Sequence, residues 1–322
     1  MSIRNYLIII LTALFIDWSL LVILHDYLSG KSYYKDLLDH QRLKRLSLKE
    51  LDTKWEQAKE KSDIIVSLTT IPERIDFLEL TLKSLLYQKR LPKKIILNIP
   101  HQSFRTKKEY SQPNWLIDLK GVEVNRVEID YGPATKFIPT LEACSDNQLI
   151  LVVDDDHIYP ANYIEEFEQA SEKYPDYILA GSGWRVPADL VDRDTTLKMN
   201  LFNIPPSPEK GTRLKKIKKT DIIQGYGGYL IKPAFFDLES LKNFPETPSQ
   251  LRFVDDVWIS AHALVDKYII PLKRFCFSTP WIRKLSKESS LSTINNKGKE
   301  KDEDRHNSIA IKYFKDKWNL ME

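Results

Sequence analysis

The sequence predicts an α/β fold, with a mostly parallel central sheet flanked by helices and an N-terminal transmembrane helix ahead of it. Three observations predict it. From Asp63 onward, short apolar runs alternate with stretches of helical spacing, the pattern of strand and helix units that build a parallel sheet. The most apolar of the short runs, Leu149–Val153, leads straight into three aspartates. Near the amino terminus, Leu7–Leu24 is almost wholly apolar and long enough to match a bilayer core.

In chain order, Leu7–Leu24 carries one charge, Asp17. At ~1.5 Å per residue it would span ~27 Å as a helix. Its Leu, Ile, Phe and Val side chains favour insertion by roughly 4 to 8 kcal/mol, against about 3 for the aspartate. No small-residue cleavage site follows, so residues 1–30 read as an uncleaved membrane anchor. Arg4 precedes the span, whereas Lys31, Lys35, Arg42, Lys44 and Arg45 follow it. The positive-inside rule then puts the large C-terminal part in the cytosol. The chain has no N-x-S/T sequon, which agrees with a bacterial inner membrane rather than a Golgi lumen. Residues 31–62 are polar and free of proline, and Ser47-Leu-Lys-Glu50 forms a capping box. They read as a helical stem.

Residues 63–283 hold the predicted domain. Ile64–Leu68 is its first strand, followed by a helix over Ile75–Leu86 with apolar positions Ile75, Leu78, Leu82 and Leu85. Ile95–Ile99 and Val122–Ile129 are strands, Phe137–Cys144 is a short helix, Leu149–Val153 a strand and Ala161–Lys173 a helix. Arg185–Thr220, with four prolines and the basic cluster Lys210–Lys219, reads as an excursion from the sheet. Residues 284–322 form a polar tail that closes with an amphipathic helix over His306–Trp318. Ligands of such sheets bind beyond the carboxyl ends of the strands, so the residues after each strand are the candidates for chemistry.

The chain has 322 residues, 42% of them hydrophobic, enough for one large core with an appendage. A net charge of +3 gives no reason to expect nucleic acid as a partner. Cys144 and Cys276 fit no metal spacing and are too few for a disulfide framework, so they read as buried thiols.

Asp154-Asp155-Asp156 follows the most buried strand. Adjacent carboxylates repel, and at the mouth of an apolar strand they call for a cation. Mg²⁺ or Mn²⁺ suits this setting, because it is held by one or two carboxylates together with substrate phosphates. A solvated acidic turn is the alternative. A second acidic pair, Asp255-Asp256, opens a stretch of helical spacing. One of the two would cap that helix, leaving the other to face a cleft as a general base. Between the acidic clusters lies Gln224-Gly-Tyr-Gly227-Gly228-Tyr, whose glycines would let the backbone approach a ligand. It lacks the spacing of a dinucleotide-binding loop.

Taken in order, Ser67-Leu-Thr69-Thr70-Ile-Pro-Glu-Arg74, Tyr131-Gly-Pro-Ala-Thr-Lys136, Asp154-Asp-Asp156, Gly227-Gly228-Tyr229 and Asp255-Asp256-Val-Trp resemble the GT-A-type glycosyltransferases. Their order and spacing are similar to the family 2-like proteins, and the later half is similar to the fringe and β1,3-galactosyltransferase group. The resemblance covers roughly Asp63–Ile282 and implies a GT-A domain. It implies that a hexosyl or N-acetylhexosaminyl group moves from a nucleotide-diphosphate sugar to a hydroxyl of a glycan or lipid-linked acceptor, with inversion. By position, Thr69, Thr70, Arg74, Asp154 and Asp155 would line the nucleotide pocket and Lys136 would meet a phosphate. Asp156, with Asp154, would hold Mn²⁺ or Mg²⁺. Gly227 and Gly228 would line the sugar and acceptor cleft, and Asp256 or Asp255 would deprotonate the acceptor, Asp256 being favoured. His306 is the available late metal ligand. Two other classes compete. A nucleotidyl- or phosphotransferase also uses carboxylate-bound metal, but it usually needs a glycine-rich phosphate loop, and Ser67–Arg74 has no glycine. A non-catalytic, membrane-tethered carbohydrate-binding protein would need a cleft but not both acidic clusters.

Overall fold

A computed structural model describes residues 17–24, 26–27, 32–202, 204–246, 248–279, 299 and 301–318. The strands are β1 Ile65–Thr69, β2 Lys94–Pro100, β3 Val122–Val127, β4 Ile150–Val152, β5 Ile178–Ala180, β6 Ser182–Trp184, β7 Glu209–Lys210, β8 Lys218–Lys219, β9 Ile222–Ile223, β10 Tyr229–Ile231 and β11 Lys267–Ile269. The α-helices are α1 Tyr33–Arg45, α2 Leu48–Gln57, α3 Glu79–Leu86, α4 Ile138–Ala143, α5 Tyr163–Lys173, α6 Leu197–Phe202, α7 Leu238–Lys242, α8 Asp255–His262 and α9 His306–Tyr313.

The main sheet runs β3-β2-β1-β4-β10-β5-β11-β8, and β7-β6-β9 forms a smaller sheet beside it. β1 is parallel to both β2 and β4, with Val66 opposite Ile95 and Leu151, and β2 is parallel to β3. β10 runs antiparallel to both its neighbours, β4 and β5, and β8 closes the edge antiparallel to β11. The apolar pattern could not announce the direction of β10, because a strand buried on both faces is apolar whichever way it runs.

β4 shows why the apolar run is continuous. Side chains alternate across a strand, and here both faces are covered. Leu151 and Val153 join Val66, Leu68, Leu82 and Phe167 on one side. Ile150 and Val152 join Phe137, Leu141 and Trp258 on the other.

The segment expected as a stem holds α1 and α2. Ser47 caps α2, its Oγ accepting from the Glu50 N–H. Leu48 and Leu51 are buried in the main core, and the Asp52 carboxylate accepts from the N–H groups of Lys120 (2.9 Å) and Gly121 (2.7 Å). α2 is therefore packed onto the domain. α1 is clamped by Arg274, which pairs with Asp36 and Asp39 at 2.6 Å each. The helix expected over Ile75–Leu86 is split into a 3-10 turn, Ile75–Phe77, and α3.

Most of the expected anchor, Leu7–Leu24, lies outside the described residues. Residues 17–24 are helical, with Trp18, Leu20, Leu21, Ile23 and Leu24 exposed. Among the described residues, no helix is long and apolar enough to cross a membrane. Most of the polar tail before Asp302 also lies outside them. Cys144 and Cys276 are free thiols.

The strand order fixes where a ligand belongs. From β1 the chain steps outward to β2 and β3, then returns to place β4 on the opposite side of β1. The switch point of the sheet is therefore between the carboxyl ends of β1 and β4, where open α/β sheets bind ligands.

Candidate active site

A cleft of about 480 Å³ lies at that switch point, within the range of small-molecule sites. The loop after β1 supplies Thr69, Thr70 and Arg74, and the loop after β4 supplies Asp154, Asp155, Asp156 and His157. The turn before α4 adds Lys136, the segment before β10 adds Gln224 and Tyr226, and the first turn of α8 adds Asp255 and Asp256. Thr69, Thr70, Arg74, Lys136 and both acidic clusters are thus brought together.

Lys136 sits at the centre. It is only 5% exposed, and its Nζ lies 2.7 Å from Asp154 Oδ1 and 2.7 Å from Asp255 Oδ2. Burial opposes its charge, but the two carboxylates outweigh that and hold the ammonium protonated well above the ordinary lysine range. Its expected role was a phosphate contact. The structure instead spends the ammonium on joining the two acidic motifs.

A buried polar network seats this turn on the sheet. Ser67 Oγ donates to the Lys136 carbonyl (2.6 Å). Asn98 Nδ2 donates to Thr140 Oγ1 (2.9 Å) and accepts at Oδ1 from Asn125 (2.8 Å). Polar side chains inside apolar strands persist when they are paired in this way. Gly225 leaves room for the lysine, since a Cβ there would collide with Lys136 Nζ and Asp154 Oδ1.

Arg74 organises the acidic triplet. Its Nη1 lies 2.6 Å from Asp155 Oδ1 and 3.3 Å from Asp156 Oδ2, and Thr70 Oγ1 donates to Asp155 Oδ2 (2.6 Å). Burial pushes the Asp155 carboxyl up, and Arg74 offsets only part of this. Burial acts in the same direction on Asp156, but His157, 2.8 Å away, together with Arg74 holds that carboxyl below the usual range. Asp156 is thereby kept ionised.

The α8 pair divides its roles. Neither side chain caps the helix, whose N-cap is Val254. The two charges lie in its first turn, where the helix dipole favours them. Asp255 is buried and bound to Lys136. Asp256 is more open, and its Oδ1 accepts from the Gly225 N–H (3.0 Å). Burial, and then the charge of Asp255, push the Asp256 carboxyl well above the ordinary range, as suits a carboxylate that is to take a proton.

Three expected residues stand elsewhere. Gly227 and Gly228 do not line the cleft. The Gly227 carbonyl accepts from Tyr163 Oη (2.7 Å), and Gly228 takes φ +64° to enter β10, a conformation suited to glycine. Gly225 is the glycine that meets the site. His306 opens α9 and is likewise not among the cleft residues.

Several cleft residues carried no sequence signal of their own. Tyr110, whose Oη donates to the Thr70 carbonyl (3.0 Å), lies in a loop without a motif. Phe104 and Phe253 line the rim with ring centroids 6.2 Å apart. Gln224 and His157 adjoin motifs that were read, and Gln224 Oε1 is buried without a hydrogen-bond partner.

Six carboxylates line the cleft (Asp130, Asp154, Asp155, Asp156, Asp255 and Asp256) against three cations (Arg74, Arg105 and Lys136). Among the described residues, no three His, Cys, Asp or Glu side chains form a ready-made metal cage. One is not required for Mg²⁺ or Mn²⁺ when substrate phosphates complete the shell. Partly exposed Asp154 and Asp156 supply hard oxygen ligands of the right kind.

No protein-family model and no curated protein matches this chain. Among solved structures, it is similar to S. aureus TarS 1–349, with 13% identity over 79% of this chain and 70% of that chain, at a TM-score of 0.40. S. aureus TarS matches with 13% identity over 79% of this chain and 42% of that one, at 0.41. TarS 1–349 in complex with UDP matches with 13% identity over 78% and 70%, at 0.38.

Proposed function

We propose that this cleft binds a nucleotide-diphosphate sugar and transfers the sugar to an acceptor hydroxyl with inversion. The single observation that carries the reading is Lys136, which bridges Asp154 of one acidic motif to Asp255 of the other. The bridge sets a group of cation-binding carboxylates beside a carboxylate suited to take a proton, at the switch point of one sheet.

In the reaction, the acceptor oxygen attacks the anomeric carbon from the face opposite the diphosphate. The carbon–oxygen bond to the phosphate breaks, and its electron pair leaves on the nucleoside diphosphate. The hydroxyl proton passes to Asp256. Thr70 and Arg74 fix the triplet, and Gln224, Phe104 and Phe253 line the same cleft. Asp156, with Asp154, would hold Mn²⁺ or Mg²⁺, which supplies positive charge against the diphosphate. The excess of carboxylates supports this, because the cleft alone repels a diphosphate. The reading keeps residues 63–283 as the body of the catalytic domain, with α2 and α9 packed into its core, and Leu7–Leu24 as a membrane anchor with the cleft on the cytosolic side.

A panel of nucleotide sugars tests the reading. The full chain is expected to release nucleoside diphosphate from one donor in Mn²⁺ or Mg²⁺, and Asp156→Ala to lower that rate by about 100-fold or more. Release that is indifferent to both the metal and the substitution would sink the proposal.

A further inference from the structure

A second cavity of about 460 Å³ adjoins the cleft, between α1 and the segment Phe275–Thr279. We propose that it holds the acceptor, and that this acceptor is a sugar carried on an aliphatic chain. The inference rests on the sugar-transfer reading and names the second substrate of that site.

Continuity is the first argument. His157 and Tyr226 line both cavities, with ring centroids 5.7 Å apart. His157 lies against Asp156, and Tyr226 lies on the Gln224–Tyr226 segment whose Gly225 N–H is held by Asp256. The two rings pack against each other and form the boundary that the cavities share, so an acceptor in the second cavity lies beside the carboxylates of the first. Direct displacement requires donor and acceptor to occupy adjoining spaces. The oxygen that attacks the anomeric carbon there gives its proton to Asp256, as the diphosphate departs with the bonding pair.

The lining gives the second argument. Tyr226 and Phe275 pack edge to face, 5.7 Å apart between centroids, and the Lys210 ammonium lies over both rings, 4.9 Å from the Phe275 centroid. An aromatic wall of this kind packs against the apolar side of a sugar ring, and the nearby cation suits its oxygens. On the α1 side the cavity changes character. Tyr33 and Leu37, 62% and 47% exposed, line it together with Asp36 and His40. Leu38, 61% exposed, and Tyr34 continue the apolar surface along α1.

The third argument is placement. α1 follows closely on the most apolar stretch of the sequence, Leu7–Leu24. The Arg213 guanidinium lies 4.8 Å from the Tyr27 ring, so the basic excursion also meets this end of the chain. Arg274, 13% exposed at its side chain, fixes α1 in place as the cavity wall. The exposed apolar side chains of α1 beside the aromatic pocket suit an alkyl chain with a sugar at its head. A free sugar would leave that apolar surface in water.

The test is photolabelling of the full chain with n-octyl β-D-glucoside bearing a diazirine in the alkyl chain, used below its micellar concentration. Methyl β-D-glucoside and octyl glucoside serve as competitors. Label is expected on peptides containing residues 33–40 and 275–279, displaced by octyl glucoside and not by the methyl glycoside. Leu37→Glu should reduce it about tenfold, the equivalent of ~1.4 kcal/mol. The remote exposed change Leu264→Glu should not, and thermal melting confirms that both variants fold. Label elsewhere, equal displacement by the methyl glycoside, or undiminished label in Leu37→Glu would overturn the proposal. Donor hydrolysis by the wild type is scored separately. Its absence would remove the sugar-transfer reading, and with it the role of acceptor for whatever the cavity binds.

Discussion

Asp256→Asn is expected to lower sugar transfer by roughly 10²- to 10⁴-fold, the usual contribution of a positioned general base, while nucleotide binding persists. The substitution is close to isosteric, and the amide oxygen can still accept from the Gly225 N–H, now 3.0 Å from Oδ1. The proton-accepting carboxylate is what disappears. The pH profile gives an independent check. Burial, with Asp255 beside it, raises the Asp256 carboxyl well above the ordinary range. A base works only when deprotonated, so kcat/KM should climb as pH rises through that raised value and fall below it. The limb should lie at higher pH than a solvent-exposed aspartate gives, and it should vanish in Asp256→Asn. Steady-state kinetics over pH 4–9 measures both, and a variant within a few-fold of wild type at every pH would remove Asp256 from the mechanism.

Lys136→Met should have the largest effect on stability. The lysine is 5% exposed and is the cation shared by Asp154 and Asp255. Removing one partner of a buried ionic group leaves uncompensated charge and costs about 3–5 kcal/mol. At about 2–4 °C per kcal/mol for a domain of this size, the melting temperature should drop by roughly 6–20 °C. Lys136→Arg should rescue poorly, because the lysine end fits against Gly225, where even a Cβ would collide with Nζ. Thermal denaturation followed by circular dichroism measures the effect. A fall of only a degree or two would mean that the two acidic motifs do not depend on the bridge.

The parts of this architecture that were legible in the sequence are local. A strand buried on both faces is a continuous apolar run, so β4 was readable, and with it the exit of Asp154–Asp156 toward the ligand side. Ser47 and Glu50 marked the start of α2, and the helical spacing after Asp255 marked α8. What escaped depends on tertiary pairing. Lys136 and Asp255 are far apart in the chain, so nothing near the lysine shows that its ammonium is already engaged. The three glycines around Tyr226 look alike in sequence, yet only Gly225 backs onto the lysine, while Gly228 serves a turn. The direction of β10 and the packing of α2 on the core are likewise invisible to periodicity. Tyr110 and Phe104 reach the cleft from a loop whose composition announces nothing, and His306 belongs to a helix that does not bring it there.

The measurement that bears most directly on the central claim is calorimetric titration of the full chain with nucleoside diphosphates, in Mn²⁺ and then in EDTA. A cleft in which six carboxylates face three cations should take a diphosphate only when a divalent ion accompanies it. The expected result is saturable binding of one nucleotide in Mn²⁺, weakened at least about tenfold, or by ~1.4 kcal/mol, in EDTA. Binding of equal strength in both buffers, or of no nucleotide in either, would contradict the account.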